Sequence, residues 1–178
     1  MLRIQGAAHG ADGCKMEEKI PSPSEKTMPT QIALHFRTEI NSVHAALLAL
    51  SPELADTPWR EGGWTRKQIV GHMLDSAANN RQRFVRASIH GSFTGPDYAQ
   101  DGWVAAHGYA SQPWATLLHW WEVEHAILAA AVDCIPEERF DAICKIGENE
   151  PATLRWVVED YFRHQRWHLS QLTAPVAA

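Results

Sequence analysis

The stretch PATLRWVVEDYFRHQRWHLSQL, residues 151–172, decides the fold. Leu154, Val157, Val158, Tyr161, Phe162, Leu169 and Leu172 recur in steps of three and four, the period of one helix face. Pro151 suits a first helical turn, so the helix is expected to start near it. His164 and His168 are four residues apart and therefore stack on one side of that helix. At about 100° per residue they align with Val157, Tyr161 and Leu172 on the apolar side, and Glu159, Arg163 and Arg166 fall opposite. Two imidazoles turned into a core are costly without partners. A metal ion held between helices is one such partner. Hydrogen-bonded core histidines, or a helix rotated so that both rings reach its wet end, are the other readings. Gln165 rather than Glu follows His164, so the zincin signature is excluded.

Three more helices emerge on working outward. Ile32, Phe36, Ile40, Val43, Leu47 and Leu50 form one stripe over residues 30–50, which Ser51-Pro52 ends. A second helix opens at Thr65, whose spacing to Gln68 is that of a capping box. It runs through Ile69, Met73, Ala77 and Phe84 to about residue 89, and Gly91 closes it. A third starts near Pro113, with Leu117, Leu118, Trp121, His125, Leu128 and Val132 inward, and stops at Pro136. Four amphipathic helices without a strand-rich region predict an all-α four-helix bundle. The long connection over residues 91–112, rich in glycine, proline and aromatics, is expected to cross over the bundle between helices two and three. Residues 137–150 read as a polar loop with a short extended piece around 142–146.

The 178 residues are 45% hydrophobic and 21% charged, ordinary values for one globular domain. That domain is expected over residues 29–172, after a flexible extension over 1–28 and before a tail over 173–178. Met28, directly before Pro29, is a candidate native start. A net charge of −5 argues against nucleic acid or an anionic membrane as partner. Arg81, Arg83 and Arg86 alternate with Asn80, Gln82 and Phe84 and read as a solvated helix face. No apolar run reaches the roughly 18 residues of a membrane span, and the N-terminus lacks a secretory pattern. Cys14, Cys134 and Cys144 form no C-x-x-C pair and no disulfide framework, which fits a reducing cytoplasm.

His72 sits beside the apolar stripe of the second helix, in a polar seam with Ser76, Asn79 and Arg83. Such a seam lies at the mouth of a pocket or along an exposed helix edge. His125 falls on the inner stripe of the third helix, as a core residue or a support to the site. Glu122 and His125 have the spacing of di-iron bundles, but Tyr161 and Gln165 stand where His164 and His168 would need glutamates.

Three features together resemble the DinB/YfiT-like family: the run from Trp64 to Ser76 followed by Asn79–Phe84, the run from Asp160 to Leu169, and the order of four helices with a long crossover. The resemblance covers residues 30–172. It implies a metal ion at one end of a central cleft, with His72, His164 and His168 as ligands. It implies nickel or zinc, frequent dimers, and either transferases and isomerases that use low-molecular-weight thiols or metal-dependent hydrolases.

Three neutral imidazoles leave a divalent ion an open position, as catalytic sites do and closed structural sites do not. Such an ion lowers the pKa of a bound water or activates a thiol. The expected function is therefore a metal-dependent enzyme acting on a small molecule, as a thiol-dependent transferase first and a hydrolase second. A non-catalytic metal-binding or interaction module is the alternative. The thiol is expected from outside, because no cysteine lies near the ligands in sequence. Helical spacing puts Asp75, Asn79 and Asp160 within reach as supports for the ligand rings. Tyr98, Trp103, Tyr109 and Trp114 are expected to narrow the pocket, and Trp156 and Trp167, on the outer side of the fourth helix, to form a homodimer seam. No residue presents itself as the catalytic acid or base.

Overall fold

The computed structural model describes residues 30–175. The expectations for the extension over 1–28, and for all but the first residues of the tail, lie outside the described residues. Four long helices form the bundle: α1 (Gln31–Leu48), α3 (Arg66–His90), α5 (Trp114–Asp133) and α6 (Leu154–Leu172). Two short helices, α2 (Pro52–Ala55) and α4 (Gln100–His107), lie in the connections.

Local chemistry sets the ends. Thr30, Thr65 and Thr153 cap α1, α3 and α6 by accepting from Ala33, Gln68 and Trp156 N–H. At α3 the Gln68 side chain returns the bond to Thr65 N, which completes the capping box. Gly91 ends α3 in the left-handed region at φ 73°, where a side chain would be strained.

α1 and α3 each pack against both α5 and α6. His35 meets Phe162 and Glu39 meets Arg166, so α1 and α6 run parallel. Arg37 pairs with Asp133 and Leu50 O accepts from Trp114, so α1 and α5 run antiparallel. Arg66 reaches Leu172 and His72 reaches His168, so α3 and α6 run antiparallel. The topology is up, down, down, up. Only a long crossover can join the two parallel neighbours α3 and α5, which explains the length of the connection after Gly91. Phe36, Met73, Phe84, Trp121, Leu128 and Val158 meet in the shared core.

A small sheet accompanies the helices, and its middle strand falls where the extended piece around 142–146 is expected. β1 (Ser92–Gly95), β2 (Ile143–Ile146) and β3 (Ala152–Thr153) make a small sheet in the order β1-β2-β3. β1 and β2 are parallel, with Phe93 opposite Cys144, and β2 and β3 are antiparallel. The sheet ties the crossover to the α5–α6 connection and walls one side of a cleft. Among the described residues no helix is long and apolar enough to cross a membrane.

Candidate metal centre

The antiparallel packing of α3 on α6 is fixed at one end by Arg66, whose side chain is fully buried. Its Nε donates to Leu172 O at 2.8 Å and its Nη2 to Ala174 O at 2.6 Å. Nη1 donates to Thr57 Oγ1 at 2.7 Å. A guanidinium on the last carbonyls of α6 is favoured by the helix dipole as well as by the bonds themselves. This clamp sets the register in which His72 faces His164 and His168.

The three rings meet edge to face. His164 Nε2 lies 3.1 Å from His72 Nε2 and 3.0 Å from His168 Nε2. Imidazoles around one tetrahedral ion, with bonds of 2.0–2.1 Å, put their nitrogens about 3.3 Å apart. A neutral imidazole nitrogen offers either one proton or one lone pair. His164 Nε2 therefore cannot satisfy both neighbours at once by hydrogen bonding. A cation at the meeting point satisfies all three.

The outer nitrogens carry further information. His168 Nδ1 donates to Gln171 Oε1 at 2.8 Å, which leaves the lone pair on Nε2, facing its partners. Tyr98 Oη approaches His72 Nδ1 at 3.5 Å. His164 Nδ1 is buried without a partner among the described residues. Burial, then the neighbouring His164, pushes His72 down to about 4. Burial, then His164 and His72, pushes His168 down to about 3, and burial also lowers His164. All three rings are neutral at pH 7 and compete little with protons for a cation.

Asp75, Asn79 and Asp160 do not hydrogen-bond these rings. Asp75 accepts from Tyr109 Oη at 2.6 Å and faces His107 Nδ1 at 3.2 Å. Tyr109 comes that close because α3 carries Gly71, where a Cβ would stand 2.0 Å from the tyrosine ring. Asn79 donates to the Asp75 carbonyl. Asp160 pairs with Arg163 at 3.2 Å, half exposed. The contacts that do reach the rings, from Gln171 and Tyr98, were not among those expected. Gln171 is three residues beyond His168 on the same helix, so helical spacing alone could have found it.

A cleft of about 750 Å³ opens from His164 and runs between α3, α6 and the sheet. Ser76, Asn80 and Arg83 line it from α3, and Val157, Asp160 and Tyr161 from α6. Of the crossover aromatics only Tyr98 lines it. Trp103 meets Tyr98 edge to face, Tyr109 is buried against α3, and Trp114 is buried with its indole N–H on Leu50 O. Trp156, half exposed, forms part of the wall. Arg83 corrects the reading of a solvated arginine face. The crossover and the sheet cover it, leaving 8% exposure, whereas Arg86 is exposed and Arg81 pairs with Glu124. Cys144 is also on the wall, its thiol pushed up to about 11 by burial.

A family model described as the DinB superfamily matches residues 35–172. The chain belongs to the DinB superfamily. A relative from Geobacillus thermodenitrificans, named "putative metal-dependent hydrolase", is 26% identical over 133 residues, 74% of this chain and 75% of its own. One from Bacillus mycoides with the same description is 36% identical over 64 residues, 36% of this chain and 37% of its own. Among solved structures, YfiT from Bacillus subtilis is described as a probable metal-dependent hydrolase with an unusual four-helix bundle topology. It superposes with a TM-score of 0.72 at 21% identity, over 84% of this chain and 88% of its own. A mycothiol-dependent maleylpyruvate isomerase superposes with a TM-score of 0.67 at 15% identity, over 82% of this chain and 61% of its own. These likenesses establish the shared bundle, including its unusual helix order.

Proposed function

We propose that this DinB protein is a metal-dependent enzyme whose single divalent ion, zinc or nickel, is held by His72, His164 and His168. One observation carries the reading. Three neutral imidazole Nε2 atoms converge at 3.0 and 3.1 Å, and one of the rings, His164, lines a cleft of about 750 Å³. Bound there, the ion supplies a Lewis-acid position that acidifies a water or a thiol.

The chain's own residues define what surrounds that position. Gln171 holds His168 in the tautomer that offers Nε2. Tyr98 and Trp64, next to His72, shield the site with aromatic surface. The cleft is large enough for a small molecule that reaches His164. Thiol-dependent transfer is the first reaction class and hydrolysis the second. The thiol dependence of the isomerase neighbour supports the first, and the names of the relatives support the second. The Cys144 thiol stays protonated and outside the histidine cluster, in keeping with a thiol supplied as cosubstrate. Assembly as a homodimer over the exposed face around Trp167 belongs to the same proposal. Light scattering that returns the mass of one chain removes that part alone.

The test is metal content by elemental mass spectrometry on untagged protein that has met no nickel column, with His164→Ala in parallel. About one equivalent in the wild type and none in the variant is the expected result. No metal in either, after incubation with zinc and with nickel, refutes the reading.

A further inference from the structure

Arg83 lines the same cleft as His164 and lies one to three turns along α3 from Asn80, Ser76 and His72. It is 8% exposed, and a buried guanidinium is costly unless its donors are used. Nη1 donates to Asn80 Oδ1 at a long 3.4 Å and Nη2 to Asp97 Oδ1 at 3.1 Å. Among the described residues its other N–H groups have no partner. The bond to Asn80, one turn back, shows that the side chain leans toward the N-terminus of α3 and thus toward the metal centre. Helix rise less that reach leaves roughly 10 Å between the guanidinium and the histidine cluster.

The lining also carries Asp97, Glu150 and Asp160, but all three are exposed to solvent at the rim. Their fields are screened by water and salt. Arg83 is the one cationic side chain of the lining, and it is held within the wall.

We propose that Arg83, oriented by Asn80, is the binding point for a carboxylate on a small ligand whose other end reaches the metal centre. The inference rests on the metal-centre reading for the identity of that other end. The guanidinium fork matches a carboxylate in two parallel bonds. Asp97 occupies one side of that fork from the exposed rim and gives way to, or competes with, the ligand carboxylate.

The experiment titrates zinc-loaded protein by calorimetry with 6-mercaptohexanoate and with 6-mercaptohexanol, which differ in the carboxylate alone. The wild type binds the acid about tenfold more tightly than the alcohol. Arg83→Gln brings the ratio to about one. Asp97→Asn, which removes the competitor, raises the ratio about threefold above wild type. Melting curves and metal content of both variants establish that the fold and the histidine site persist. No preference for the acid in the wild type, or a preference that Arg83→Gln leaves intact, overturns the proposal. Failure of the metal reading shows separately, as absence of bound zinc. The same acid and alcohol then titrate the metal-free protein, and the ratio still decides the role of Arg83.

Discussion

Two groups of buried histidine in this bundle look alike by burial and differ in chemistry. His125 in α5 is fully buried and its pKa is pushed down to about 3, chiefly by that burial. His168 in α6 is almost as buried and equally depressed. At His125 both ring nitrogens are used. Nδ1 donates to Trp121 O at 2.8 Å, and Nε2 accepts from Tyr161 Oη at 2.7 Å. The ring stacks on Trp121 with centroids 3.8 Å apart. At the metal centre three nitrogens point at one another, and one of them has two neighbours it cannot both satisfy. A depressed pKa marks burial in both places. Unspent lone pairs aimed at one point mark a ligand set.

The comparison predicts opposite responses to substitution. The largest effect concerns zinc. At a free concentration about a thousand times Kd, zinc stabilises the wild type by about 4 kcal/mol, read as a shift in melting temperature. His164→Ala loses that shift. His125→Ala keeps it, because no nitrogen of His125 faces the cluster.

The next effect is on the metal-free fold. His125→Ala leaves a cavity beside Trp121 and an unpaired Tyr161 hydroxyl, and costs about 3 kcal/mol in denaturant unfolding. His164→Ala, tested without metal, costs well under half of that, since it removes a half-buried ring with an unpaired Nδ1. Equal costs for the two would erase the distinction.

A pH series comes third. The folded pKa of His125 is about 3, below the ordinary value of 6.5, so the unfolded chain takes the proton first. Stability from this group is complete above pH 6.5 and falls as pH drops toward 3, by at most about 1.4 kcal/mol per pH unit. His44, stacked on Trp121, adds to the depression when charged, while Tyr161 stays neutral throughout. Chemical denaturation of wild type and His125→Gln at pH 7 and pH 5 isolates the contribution. A wild type no more acid-sensitive than the variant contradicts it.

The smallest effect is at Gln171. Gln171→Ala frees the His168 tautomer and weakens zinc binding about tenfold, measured by competition with a chelator. Unchanged affinity means the amide does not orient the ring.

Much of the fold follows from periodicity. The α1, α3, α5 and α6 stripes are long enough to read, and the capping box at Thr65 marks a start to the residue. The sheet was not legible in the same way. Its strands are two to four residues long, and β1 pairs with a segment some fifty positions away. Within the site, helical geometry pairs His164 with His168, but bringing His72 to them needs the antiparallel packing of α3 on α6 that Arg66 fixes. Asp75 hydrogen-bonds Tyr109 rather than a ligand ring for a tertiary reason: Gly71 lets Tyr109 reach that carboxylate. Arg83 reads as a surface cation until the crossover and the sheet close over it, a burial no local pattern encodes.

X-ray absorption on the zinc-loaded protein tests the central claim most directly. The account predicts three imidazole nitrogens at about 2.0–2.1 Å and a remaining light-atom ligand that changes to sulfur when a thiol is added. A shell with fewer than three imidazoles, or with sulfur before any thiol is added, would contradict it.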